Sequence, residues 1–263
     1  MLILLSPAKA MDFSPPPVQA PLTRPRLESE TAELAAAARK LSVAQLRSLM
    51  DLSEKLAVLN RERFQAFDPA ADGALQAAFA FNGDVYAGLR ARELEPDALA
   101  WAQDHVRILS GLYGVLKPLD GIQPYRLEMG SPLQTRRGKT LYAFWGDRIG
   151  KALAADLEGS PDPVVVNAAS QEYASAVDRK ALRARVVEVR FLEEKDGRAK
   201  IISFFAKRAR GALARFAIDN RIERADDLRA FDRDGYRYLA AESSADVWVF
   251  SRPQPAPVGA DKE

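Results

Sequence analysis

The chain has 263 residues, nearly half of them apolar, and its 38 lysines and arginines almost cancel 36 acids to leave a formal net charge of +2. That length buries a core large enough for one large domain or two small ones, and the charge balance excludes a histone-like coat, so any nucleic-acid contact must come from a concentrated patch. With no cysteine and a single histidine, disulfides, thiolate centres, a catalytic thiol and a multi-histidine metal site are all excluded, and neither a tightly bound transition metal nor a cofactor is expected.

Met1 to Leu5 reads as a buried strand. Ser6-Pro7 ends this apolar run well short of signal-peptide or membrane length, which predicts a cytoplasmic protein without a membrane partner. Ser6-Pro7-Ala8-Lys9 leaves the carboxyl end of the strand, where ligand sites of α/β sheets gather, so Lys9 is either an anion contact or an ordinary surface lysine. Proline-rich residues 14–25 read as a wrapping loop. From Leu27 to Phe67 the pattern is helical, with a break near Leu41 and a capping box, Ser42-x-x-Gln45, opening the second helix; Leu46, Leu49, Met50, Leu56 and Leu59 form its expected core stripe. Asp72 to Phe81 is a short apolar helix or strand that ends in an Asn82-Gly83 turn before Asp84.

Glu95-Pro96-Asp97 opens a helix expected to run through Trp101 and His105 to Leu109, with His105 a packed structural residue. Ser110-Gly111-Leu112-Tyr113-Gly114 stops it, and a second helix is expected beyond Lys117. Two helices around a glycine turn look like a helix-hairpin-helix, whose glycines let backbone amides approach a DNA phosphate; a plain helix-capping turn is the alternative. The usual hairpin has one residue between its glycines, whereas this chain has Leu112 and Tyr113. Pro124 to Gly130 follows, carrying Arg126 and Glu128, and Leu141 to Leu157 reads as an amphipathic helix containing Trp145.

Pro163 to Val166 is a buried strand whose end carries Asn167, Ser170, Glu172 and Tyr173. Arg185 to Leu192 alternates as a strand, and Lys195-Asp196-Gly197-Arg198 is a hairpin turn into Ala199 to Phe205. The strand runs straight into a helix on which Phe205, Ala206, Ala209, Ala212, Leu213 and Phe216 share one arc, while Lys207, Arg208, Arg210, Arg215 and Arg221 share the other with Gly211 and Ala214 among them. Lys207, Arg208 and Arg210 have no carboxylate three or four residues away, and cations near a helix start oppose its dipole. They form either a solvated face or a phosphate-binding surface. A short helix near Asp226 to Phe231 and two edge strands, Tyr236 to Ala240 and Val247 to Phe250, close the fold. The expected architecture is a single mixed α/β domain over residues 1–251, with 252–263 a disordered polar tail.

Gly138-Lys139-Thr140 is not a phosphate loop, because Leu133 stands where the first glycine is needed; no dinucleotide fingerprint, nucleophile elbow or H-E-x-x-H is present. Without a recognisable catalytic motif, an enzyme reading rests on Lys9, Asp84, Arg126, Glu128, Glu172 and Lys207 meeting in one pocket. A carboxylate among Asp84, Glu128 and Glu172 would act as general base, and the cations would hold a small anionic or nucleotide-like substrate.

The segments MLILLSPAK, FNGDVYAGL, RILSGLYGVLKPLDGIQPYRLEMG, FWGDRI, VVNAASQEY and IISFFAKRARGALARF together resemble the YaaA family of bacterial peroxide-stress proteins, from Met1 to about Phe250. The resemblance implies a cytoplasmic oxidative-stress protein that limits iron-driven peroxide damage, built on an α/β domain of unusual topology. It also implies a positively charged cleft and a helix-hairpin-helix that bind duplex or branched DNA. The hairpin corresponds to Ser110 through Gly114, with Lys117 beside it, and the charges assign the cleft to Lys9, Arg126, Lys207, Arg208 and Arg210. DNA binding through the phosphate backbone, without sequence preference, is therefore the leading expectation, and an enzyme acting on a small anion is the alternative. Iron sequestration finds no Glu-x-x-His ligand pair to support it.

Overall fold

The computed structural model describes residues 1–16, 18–68 and 73–255. β1 (Leu2–Leu5) is buried along its whole length, as its unbroken apolar run requires. β2 (Ala10–Met11) turns off it. Three helices follow: α1 (Glu28–Arg39), α2 (Val43–Met50) and α3 (Glu54–Ala66). The capping box of α2 forms as expected, Gln45 N–H donating to Ser42 Oγ at 3.2 Å and Ser42 N–H to Gln45 Oε1 at 2.8 Å. The core stripe is only partly as expected, because α3 buries Ala57, Asn60 and Phe64 and leaves Leu56 and Leu59 41% and 39% exposed.

β3 (Leu75–Gln76), α4 (Ala77–Ala80) and β4 (Phe81–Asn82) cover most of the expected apolar element; its first residue, Asp72, lies outside the described residues. α5 (Asp84–Leu89) follows the Asn-Gly step, and α6 (Pro96–His105) begins at the expected proline. α6 ends four residues early. Val106 to Ser110 is instead β5, buried throughout, and β6 (Gly114–Leu116) pairs back on it antiparallel. The expected helix-hairpin-helix is therefore a β-hairpin: an apolar run with β-branched Val106 and Ile108 pairs with β1 in preference to continuing a helix. The second helix is likewise absent, its place taken by β7 (Gly121–Ile122), which pairs with β3.

The expected Leu141 to Leu157 helix is two, α7 (Leu141–Trp145) and α8 (Arg148–Leu157), separated at Gly146, whose φ of +50° no helix accommodates. β8 (Val164–Asn167), α9 (Gln171–Ala174), α10 (Arg179–Leu182), β9 (Arg185–Lys195), β10 (Arg198–Lys200), α11 (Ser203–Asn220), β11 (Arg237–Tyr238) and β12 (Val247–Pro253) complete the order. The short helix expected near Asp226 to Phe231 is the 3₁₀ helix Ala225–Ala230. Residues 252 and 253, read as tail, belong to β12; residues 256–263 lie outside the described residues.

Eight described strands form one mixed sheet in the order β11-β12-β9-β8-β1-β5-β6, with β10 on β9. β12, β9, β8, β1 and β5 are mutually parallel, so β12 is an interior strand, and the antiparallel β11 and β6 form the ends. Ile3 stands opposite both Val106 and Val166, placing β1 at the centre. From β1 the chain passes to β5 on one side and later returns to β8 on the other. Such a switch in strand order opens a crevice at the strands' carboxyl ends. α11 packs against β1, β9 and α5, and there the expected polar arc fails: Gly211 and Ala214 are buried. A Cβ on Gly211 would lie 1.7 Å from the Val85 carbonyl oxygen, and one on Gly88 would lie 2.0 Å from that of Arg208. The two helices cross at a distance that only paired glycines permit.

Candidate functional site

The crevice at the ends of β1 and β8 is a cleft of about 490 Å³. Its walls come from elements far apart in sequence, each fixed by hydrogen bonds. Ser6 Oγ accepts from the Ser170 amide at 2.8 Å, tying the β1 and β8 exits together, and Tyr86 Oη donates to the Ser6 carbonyl at 3.1 Å, which adds α5. The Tyr125 to Glu128 wall is held by buried Asn60, which donates to the Arg126 carbonyl and accepts from the Arg126 amide, both at 2.9 Å. Gly111 supports the same wall, because a Cβ there would lie 2.2 Å from the Leu127 carbonyl oxygen.

Lys9, Asp84, Arg126, Glu128, Glu172 and Lys207 all line this one cleft, as the pocket reading expected, and Arg210 joins them. The four cations exceed the three carboxylates by one charge. Glu128 pairs with Lys9 at 2.8 Å and with Arg126 at 3.2 Å. Glu172 accepts from the Gly130 amide at 2.8 Å. Lys207 and Arg210 have no ion-pair partner among the described residues. Arg210 is half-buried, its Nε is buried without an acceptor, and burial lowers its pKa while Glu188 works to raise it. An arginine stays protonated through such a shift, so the cleft holds a guanidinium short of acceptors.

Tyr173, on the same wall, is held protonated by burial and then by the fields of Tyr125, Glu172 and Glu128. It offers a neutral hydroxyl next to charged groups. Sequence reasoning placed Ser170 and Tyr173 at a strand end but did not assign them to the site, and it missed Asn82 and Asn60; for Asn60 the signal was a polar residue in the inward arc of an otherwise apolar helix face.

A family model described as "Peroxide stress protein YaaA" matches residues 1–242. A UPF0246 protein of Phenylobacterium zucineum is 65% identical over 262 residues, covering 100% of this chain and 98% of the relative. UPF0246 proteins of Caulobacter vibrioides and Maricaulis maris are 57% and 54% identical over 255 and 259 residues, covering 97% and 98% of this chain and 100% and 98% of theirs. The chain belongs to the YaaA family. The family is named for peroxide stress, and that role is the one this membership supports.

The remaining residues assigned from sequence lie elsewhere in this YaaA-family chain. Ser110 to Gly114 is buried: Ser110 Oγ bonds Tyr125 Oη at 2.6 Å and accepts from the Tyr113 amide at 2.9 Å, while Trp145 Nε1–H donates to the Gly111 carbonyl at 3.1 Å. Gly114, at φ +71°, lies against Trp145. These glycines make room for neighbouring chain rather than presenting amides to a ligand. Lys117 lines a separate cavity of about 350 Å³ with Arg26, Arg107 and Asp156. Arg208 faces away from the cleft, 3.9 Å from Asp234. No described helix is long and apolar enough to cross a membrane.

Proposed function

We propose that the cleft at the β1 and β8 exits binds phosphate, and that within its peroxide-stress role this cytoplasmic protein engages the phosphate backbone of DNA, duplex or branched, without sequence preference. One observation carries the reading: Lys207 and Arg210, without an ion-pair partner among the described residues, turn a cleft with one carboxylate in excess into one with one cation in excess. A phosphate oxygen supplies the acceptor that Arg210 Nε lacks. Iron-driven damage is then limited indirectly, at the DNA. Among the described residues no group of three His, Asp or Glu side chains is placed to hold an ion.

Anisotropy titrations of a labelled duplex at several salt concentrations test this reading. Lys207→Glu and Arg210→Gln should each weaken binding and lower the slope of log K against log salt by about 1. Unchanged affinity and slope in both variants would remove the proposal.

A second reading, an enzyme acting on a small anionic or nucleotide-like substrate, is favoured by the meeting of Asp84, Glu128, Glu172 and the protonated Tyr173 in the same cleft. It expects inorganic phosphate or a nucleoside monophosphate to raise the melting temperature of the native protein and not of the Lys207→Glu variant. A flat thermal-shift series across such ligands sinks it.

A further inference from the structure

Between the end of β9 and the cleft, the chain exposes a run of cations and apolar side chains that the cleft does not use. Lys195, Arg198 and Lys200 on the β9–β10 hairpin are exposed, and none has an ion-pair partner among the described residues. Their placement opposes the preferences of a sheet. Arg198 stands directly opposite Lys195, a like-charge pairing that destabilises a ladder. Lys200 stands opposite Glu193, but that carboxylate is fully buried and taken by Arg252 and Tyr236. Glu194, the other acid in the ladder, accepts from Ser251.

Immediately beyond the hairpin, Ile201 is 56% and Phe204 51% exposed. Phe204 lies in the first turn of α11, three residues before Lys207, so the two side chains share a helix face. The ring has a firm backing: its centroid is 4.5 Å from that of Phe205, and Arg252 sits 4.9 Å over the Phe205 ring. An exposed aromatic face set between unpartnered cations is the arrangement by which proteins hold unpaired nucleotides, with phosphates on the cations and a base stacked on the ring.

We infer that the β9–β10 hairpin and Phe204 form a track for an unpaired DNA segment, which leads a single strand into the cleft at Lys207 and adds affinity for single-stranded DNA that a plain duplex does not gain. The inference rests on the phosphate reading of the cleft and adds the kind of nucleic acid that it selects. A second copy of this chain is the competing occupant of an exposed Phe204, and the test includes it.

Anisotropy titrations with an unstructured oligothymidine and with a blunt duplex, on the full chain, decide the matter. Phe204→Ala should weaken oligothymidine binding by about five- to one-hundred-fold while duplex affinity stays within about twofold, and Phe204→Trp should restore it. Lys195→Glu with Arg198→Glu should reduce the salt slope for the oligothymidine. If Phe204→Ala leaves oligothymidine affinity unchanged, or weakens both ligands equally, the track is wrong even where Lys207→Glu still abolishes binding. Loss of neither ligand in Lys207→Glu instead removes the cleft reading beneath it. Sedimentation of the native protein as a dimer, with Phe204→Ala monomeric, assigns the patch to self-association and overturns the inference.

Discussion

Arg107 and Arg210 each carry a guanidinium into the molecule, and their surroundings decide what each is for. Arg107 is 2% exposed and firmly partnered: Nε donates to Asp156 at 2.7 Å, and Nη1 to the Gln103 and Val106 carbonyls at 2.9 and 2.8 Å. Arg210 has a buried Nε without an acceptor and no ion-pair partner among the described residues. One is a structural tie and the other is an unmet demand for an acceptor. Sequence counted Arg210 among the cations without a local partner and treated Arg107 as part of a helix, because the partner that satisfies Arg107 lies 49 positions away.

His105 shows the same scale at its most legible. Read as a packed residue one turn from Trp101, it stacks on that ring at 4.0 Å and 15°, with Nδ1 3.3 Å from the Met1 carbonyl. Burial lowers its pKa below the usual 6.5, and the Met1 carbonyl opposes the shift. The folded state therefore binds this proton less well than the unfolded state. Stability from this site is fully present above about pH 6.5 and is lost as pH falls through the lower folded value. With one histidine in the chain, a single imidazole resonance titrating below 6.5, together with a urea midpoint that falls from about pH 7 to about pH 5 less steeply in His105→Gln, checks this.

Among the elements, the crossing of α5 and α11 does most to assemble the site. α5 begins at Asp84 and α11 carries Lys207 and Arg210, so the approach set by Gly88 and Gly211 brings these groups to one cleft. Gly211→Ala pushes a methyl group into the Val85 carbonyl and should cost about 1–3 kcal/mol, read as a lower urea midpoint with unchanged m-value. A null effect would show that the helices separate without strain. On the helical wheel Gly211 falls among the cations, which suggests a solvated position. The wheel locates a face, but not which neighbour covers it.

The 106–116 segment misled for a related reason. Glycines bounding a turn look alike whether they serve helices or strands, and Val-Arg-Ile-Leu suits either. The choice belongs to β1, which has to be paired on both edges.

At the scale of the whole molecule, the Arg107–Asp156 pair joins β5 to α8, and Arg26 adds the N-terminal loop at 2.5 Å. Burial resists charge on Asp156, but the hydrogen bond and charge of Arg107, with Arg26, outweigh it and hold this carboxyl below its usual 3.8. Its contribution is present above about pH 4 and is lost as pH falls through the lower folded value. Asp156→Ala leaves a buried guanidinium uncompensated and should destabilise by about 3–5 kcal/mol, measured by urea unfolding at neutral pH. A loss below about 1 kcal/mol, as for an exposed pair, would place Arg107 in contact with water.

By itself the sequence determined what depends on neighbours in the chain. The α2 capping box, the proline start of α6, the Lys195 to Arg198 hairpin and the strand character of Met1 to Leu5 are all local choices of backbone and period. It also marked Lys207 and Arg210 as cations without a local partner, which spacing alone reveals, and Lys9 and Arg126 as cations beside a strand end or a turn. Only the tertiary structure decided that these four share a cleft while Arg208 and Lys117 do not, and that Ser110 to Gly114 lies buried beneath the wall. The physical reason is that burial and charge compensation are set by strand order and helix crossing. Groups from the two sides of β1 meet only once β5 and β8 have paired with it.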